Sequence, residues 1–254
     1  MDPIDPNGEA ASSSSASNPS PPTARPLDPR GRAVSSPSMA VAPPHDLPVD
    51  MLRAARSGST DLDDVRSVAA GCRACDLWER ATQTVFGEGA GGGLMLVGEQ
   101  PGDQEDRAGH PFVGPAGRIL SQALETVGID REAVFVTNVV KHFRWRPVPG
   151  SRRRLHERPG QTHVTACLPW VEAEIALMRP AGVVLLGATA ANALAGPDVR
   201  VTRDHGRPLE SPLAPLVMVT IHPSAVLRAR GDERDRSMAI LTDDLGAAAR
   251  SLAA

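Results

Sequence analysis

The stretch "LMLVGEQPGDQEDRAGHPFVGPAG", Leu94 to Gly117, decides the fold. It opens on an apolar run and then breaks into a loop dense in Gly, Pro, Asp and Glu. An apolar run that short, bounded by turn residues, predicts a strand buried on both faces. Working outward, three more runs read the same way: "VFVTN" (134–138), "GVVLLG" (182–187) and "LVMVTI" (216–221). Between them, apolar residues recur at helical spacing over about 116–127, 162–178, 188–195 and 234–252. Strand alternating with helix predicts an α/β three-layer sandwich, with a central, mostly parallel four-stranded sheet flanked by helices. Such sheets bind ligands in the crevice beyond the carboxyl ends of their strands. The residues that follow each run are therefore the candidate site.

After the first run come Gly98, Glu99, Gln100 and Asp103, with Phe112 further along the loop. Asn138 ends the second run, "GATAANAL" follows the third, and "HPSAVL" places His222 and Ser224 after the fourth. Carboxylate, amide and imidazole groups thus gather on one edge. The glycine-rich run is not a dinucleotide fingerprint, for it lacks G-x-G-x-x-G and no acid ends the second strand. It lacks the G-K-[ST] of a Walker loop as well. The prolines of "GEQPG" and "HPFVGPAG" point to a rigid loop shaped against a flat ligand, with Phe112 as the stacking surface.

Composition narrows the class. The chain has 254 residues, 41% of them hydrophobic, a formal charge of −3, and no tyrosine. That balance argues against a protein that coats nucleic acid non-specifically but leaves room for a local phosphate patch. "SRRRLHER", Ser151 to Arg158, is such a patch: Arg152, Arg153, Arg154 and Arg158 surround His156. No apolar run approaches the roughly 18 residues of a membrane span. "MDPIDPNGEA" lacks the basic and apolar regions of a secretory signal, so a cytoplasmic protein is expected. Residues 1–48, rich in Ser, Pro and Ala, predict a disordered extension ahead of a domain over 49–254. Met39 is a candidate translation start within that extension. Thr60 predicts the N-cap of a short helix, "DLDDVRSVAAG", that delivers the chain to Cys72. Lys141, the single lysine, reads as a product of coding bias towards arginine. Of three cysteines, two stand as Cys72-Arg-Ala-Cys75, a spacing that favours a metal or redox role in a reducing compartment.

"GEQPGDQED…GHPFVGPAG", "TNVVKHF" and the late "HPS" resemble the uracil-DNA glycosylase superfamily, over about residues 60 to 250. They are most similar to its iron–sulfur family 4. Gln100 and the inserted basic loop "RRRLH" depart from family 4 and resemble the X-type class, whose members become covalently attached to uracil-containing DNA. The resemblance implies a [4Fe–4S] cluster held by Cys72, Cys75 and Cys167, with His142 in place of a fourth cysteine. Zinc in a Cys3His site is the chemical alternative.

The same resemblance implies roles at the crevice. Asn138 reads the Watson–Crick edge of a flipped or single-stranded uracil, and Phe112 stacks on its ring. His222 and backbone N–H groups of the Gly98–Gly102 turn stabilise charge developing on O2. Asp103 orients the pocket or a water, and Gln100, grouped with the substrate-binding residues, fills space that family 4 leaves to water. Arg152, Arg153 and Arg154 grip flanking phosphates, Arg154 also bracing the loop, with Ser224 beside the DNA; Arg228 is a solvated helix residue or a further phosphate contact. His156 is held against C1′ of the oxocarbenium-like sugar and attacks it, while Glu99 takes the other imidazole proton directly or through water. The function expected is a single-turnover enzyme acting on uracil-containing DNA, preferably single-stranded, as a monomer with no obligate protein partner and associated with the nucleoid when bound. The alternatives are a conventional glycosylase that releases uracil and leaves a free abasic site, and a non-catalytic iron–sulfur nucleic-acid-binding module. Glu99, Asn138 and His222 together count against the last.

Overall fold

A computed structural model of the chain describes residues 47–254. Most of the expected N-terminal extension, Met39 included, lies outside the described residues. Its last two positions, Leu47 and Pro48, fall within the first helix. In chain order the elements are α1 (Leu47–Ser57), α2 (Leu62–Ala69), β1 (Leu94–Gly98), α3 (Asp103–Ala108), α4 (Pro115–Thr126), β2 (Phe135–Asn138), β3 (Trp145–Pro147) and β4 (Arg154–His156). There follow α5 (Gln161–Met178), β5 (Gly182–Leu186), α6 (Ala188–Leu194), α7 (Val201–Asp204), β6 (Leu216–Thr220), α8 (Pro223–Arg228) and α9 (Asp232–Ala253).

The central sheet runs β2-β1-β5-β6 and is parallel throughout. Every residue of its four strands is buried, which is why they read as continuous apolar runs instead of alternating ones. Met95 and Val97 face one core, packed with Trp170, Val171 and Ala55 of the α1–α5 layer. Leu94 and Leu96 face the other, against Leu120, Leu124, Leu241 and Leu245 of α4 and α9. The two-residue period of β1 thus serves two cores at once.

Local signals explain most boundaries and one miss. Asp61, not Thr60, caps α2, its carboxylate accepting the Asp64 N–H at 2.9 Å. Both residue types cap well, and Asp61 is the one with extended backbone directly before the helix. The helix stops at Ala69, and turn bonds Gly71 N–H to Val68 O and Cys72 N–H to Ala69 O carry the chain on. The antiparallel ribbon β3–β4 was not predicted: its three pairs, Trp145–His156, Arg146–Leu155 and Pro147–Arg154, are too few for any periodicity.

Lys141 has a place in the core that composition alone does not show. Of 27 lysines and arginines it is the only lysine, and it is fully buried. Its three ammonium protons meet three acceptors: Glu174 Oε2 at 2.6 Å, Thr137 Oγ1 at 2.7 Å and the Asn138 carbonyl at 2.8 Å. A planar arginine fork cannot satisfy acceptors placed around one point. Glu174 is completed by the Gly87 N–H at 2.7 Å and the Thr137 hydroxyl. Breaking such a pair by removing one partner costs about 3–5 kcal/mol. The network pins the tip of β2, where Asn138 sits.

Candidate active site

The carboxyl end of β1 closes to a narrow slot. Gly98 pairs with Asn138 across β1–β2. A Cβ at Gly98 would collide with Asn138 Oδ1 and stand 2.7 Å from Phe112 Cζ, so only glycine lets the amide and the ring approach each other. Phe112 holds a left-handed backbone, φ 57°, unusual for an aromatic residue. A side chain at Gly117 would drive into the Phe112 backbone, so that glycine seats the strained loop on α4. The Phe112 ring lies roughly parallel to His222, centroids 6.3 Å apart and planes 29° apart. Asn138 is buried, and its Oδ1 has no hydrogen-bond partner.

His222 is the N-cap of α8. Its Nδ1 accepts the Ser224 backbone N–H at 3.1 Å and lies 2.8 Å from the Ser224 hydroxyl. Arg228 donates to that hydroxyl at 2.9 Å, so the hydroxyl proton points to Nδ1. Ser224, expected beside DNA, bonds His222 and Arg228 through its hydroxyl. A backbone N–H can only donate, so Nδ1 is unprotonated and Nε2 carries the ring proton. Burial, then the Arg228 and His156 charges, hold the His222 pKa down to about 4. At neutral pH His222 is a neutral hydrogen-bond donor through Nε2.

That depressed pKa makes a prediction. The unfolded imidazole binds protons near pH 6.5 and the folded one near pH 4, so the stability it contributes is complete above 6.5 and is lost as pH falls toward 4. Up to about 3 kcal/mol is at stake. Denaturant melts between pH 7 and 4 are expected to show this slope, and His222→Asn, which keeps a capping acceptor without a titrating ring, should flatten it.

The β3–β4 ribbon brings His156 to the same edge. Gln100, expected to fill space in the pocket, clasps this ribbon. Its Oε1 accepts the Arg144 N–H at 3.1 Å, which fixes the amide orientation. Its Nε2 reaches His156 Nε2 at 2.9 Å, the Glu157 carbonyl at 3.0 Å and the Arg144 carbonyl at 3.2 Å. Two amide protons serve the two shorter contacts, so His156 Nε2 accepts and the ring proton resides on Nδ1. Burial lowers the His156 pKa, Glu99 opposes it and Arg228 adds to it, leaving a net downward shift. Glu99 Oε1 stands 3.7 Å from the same Nε2. The carboxylate therefore faces the lone-pair nitrogen, and the expected direct transfer from the opposite nitrogen has no geometry here.

The loop arginines divide. Arg152 and Arg153 are exposed. Arg154 turns inward, its side chain 11% exposed, and pairs with Asp103 and with Asp106 at 2.6 Å. Of its two expected tasks the geometry matches bracing, since its guanidinium is committed to these carboxylates. Asp103, expected to orient the pocket, spends its carboxylate on Arg154 and on Arg107.

Cys72, His142 and Cys167 are buried and Cys75 half-buried. His142 Nδ1 is a buried polar atom without a partner, and burial holds its pKa down to about 4. The Cys72 and Cys167 sulfurs receive N–H groups, from Trp170 Nε1 at 3.3 Å and from Lys141 N at 3.2 Å. Such donors stabilise thiolates, yet burial pushes the Cys167 thiol up to about 12; a bound cation would reverse that. An orphaned imidazole nitrogen and sulfurs already supplied with donors fit a metal group. Among the described residues, no three such side chains converge closely enough to hold one metal ion, whereas zinc needs four donors at about 2.0–2.3 Å.

Sequence reading missed Asp106, Thr189 and the Lys141–Glu174 pair. Asp106 lies on α3, in a stretch read for its glycines, and Thr189 in a stretch of small residues. Only the isolation of Lys141 among arginines carried a legible signal.

Residues 86–246 match the family described as the uracil DNA glycosylase superfamily. The chain is 38% identical over 176 residues to a type-4 uracil-DNA glycosylase of Pyrobaculum aerophilum, covering 66% of this chain and 85% of the relative. It is 39% identical over 167 residues to a protein of the same name in Thermotoga maritima, covering 65% and 82% respectively.

Proposed function

The chain belongs to the uracil DNA glycosylase superfamily, and from that premise we propose that it excises uracil from DNA and becomes covalently linked through His156 to C1′ of the sugar left behind. The observation that carries the uracil reading is the buried, unpartnered Oδ1 of Asn138. An orphaned acceptor costs roughly 1–3 kcal/mol, and uracil N3–H repays it while the amide N–H donates to O4. Cytosine offers the reverse pattern and leaves both ends mispaired. Phe112 stacks on the ring, and the neutral Nε2–H of His222 meets O2 as the glycosidic electrons move onto the base.

The departure leaves an electrophilic C1′. The His156 Nε2 lone pair, released from the Gln100 amide, forms the new N–C1′ bond. Glu99 Oε1 beside it stabilises both the sugar cation and the imidazolium that follows. The Nδ1 proton is then shed through water, leaving a neutral N-alkyl imidazole whose reversal would require expulsion of an imidazolide. One protein molecule is consumed per uracil. Arg152 and Arg153 stand free to meet flanking phosphates, and unpaired bases, preferably single-stranded, reach the slot without unstacking. We read the protein as a monomer of the cytoplasm, nucleoid-associated when bound; no helix among the described residues is long and apolar enough to cross a membrane.

The test is a denaturing gel of the protein with single-stranded uracil DNA. An SDS-resistant band is expected, absent with thymine DNA. Alkali-labile abasic product without that band would favour the conventional activity that the relatives' names state.

Cys72, Cys75, His142 and Cys167 would hold the [4Fe–4S] cluster, zinc being the alternative, and the group when bound supplies a cross-link among three distant segments. Iron and acid-labile sulfide are expected in the purified protein, with His142→Ala lowering both. Zinc in their place would overturn the assignment.

A further inference from the structure

Glu99 has two oxygens, and the structure treats them differently. Oε2 receives the hydroxyl of Thr189, the second residue of α6. Arg158 Nε donates to Thr189 Oγ1 at 3.1 Å and stands 3.6 Å from Glu99 Oε2. Because the guanidinium supplies the hydrogen bond that Oγ1 accepts, the single hydroxyl proton is left to point at Oε2. Oε1 receives no protein donor and faces His156 Nε2.

The turn that carries Thr189 is itself fixed. Gly187, with φ 87°, precedes α6, and its N–H bonds the Thr220 carbonyl at 2.9 Å. A Cβ there would come within 2.9 Å of His222 Cβ. Thr189 is buried, so its hydroxyl reaches Glu99 from a fixed position. We propose that Thr189, oriented by Arg158, is a positioning residue that locks the Glu99 carboxylate with Oε1 toward His156 and the anomeric carbon. This rests on the adduct reading above. A carboxylate without that lock turns about its terminal torsion, which is broad, and Arg158 then draws it away from the sugar.

The experiment compares Thr189→Val with Thr189→Ser in the full chain, following adduct formation with single-stranded uracil DNA over a range of DNA concentrations. Valine keeps the shape and deletes the donor. Its adduct rate at saturating DNA should fall about 10- to 100-fold, with the half-saturating concentration within about twofold. Serine keeps the donor and should restore the rate to within about twofold. A wild-type rate for the valine variant, or a serine variant as slow as valine, would overturn the proposal while the adduct reading stands. No adduct with the unsubstituted chain would overturn both. Thermal melts of the two variants separate loss of the fold from loss of the rate.

Discussion

His156→Ala is expected to abolish the SDS-resistant adduct, with at least a 10³-fold loss in its rate of formation. The magnitude follows from position. An imidazole held at the sugar by a clasped ribbon acts at an effective concentration far above that of an untethered nucleophile, and alanine carries none. The fold should survive. The His156 side chain is half exposed, and Gln100 keeps the Glu157 carbonyl and the Arg144 N–H while its freed amide proton turns to the Arg144 carbonyl. Stability should change by about 1 kcal/mol or less. With the imidazole gone, water gains access to the anomeric carbon while Asn138, Phe112 and His222 remain. Uracil release should therefore persist and become slowly catalytic, read as alkali-labile product exceeding the protein in amount. A band that persists would place the nucleophile elsewhere.

The fold was legible because burial on both faces leaves little freedom. Each central strand is a short apolar run, and each run appeared within a residue or two of its observed bounds. That Glu99, Asn138 and His222 come to one edge follows for the same reason, since a parallel sheet gathers its carboxyl ends. What could not be read is where a side chain spends its hydrogen bonds. Gln100, Asp103 and Ser224 stand in site motifs but turn to the β3–β4 ribbon, to Arg154 and to His222, choices that depend on partners 56, 51 and two residues away. In "SRRRLHER" the sequence offers four cations, with Arg154 read both as a phosphate contact and as the brace of the loop. Pairing with Asp103 and Asp106 makes Arg154 an internal brace, and the donation to Thr189 distinguishes Arg158, itself exposed, from Arg152 and Arg153. Charge is visible in sequence, and its neutralisation is not.

Asn138→Leu should separate stability from function most sharply. Leucine is close in shape to asparagine but offers neither donor nor acceptor, so uracil entering the slot would leave N3–H and O4 unpaired. At roughly 1–3 kcal/mol for each group, uracil release should fall by about 30-fold to 10⁴-fold. Discrimination between uracil and cytosine should shrink with it, because both bases would then be equally unpaired. Stability should move the other way. The native Oδ1 is a buried acceptor with no partner in the free protein, and the Lys141 bond that pins this strand end uses the Asn138 carbonyl, which the substitution leaves in place. Removing the orphan should hold or raise the thermal midpoint, by about 2–4 °C for each kcal/mol recovered. A variant that melts earlier and still selects uracil would mean that this amide holds the sheet end together and does not read the base.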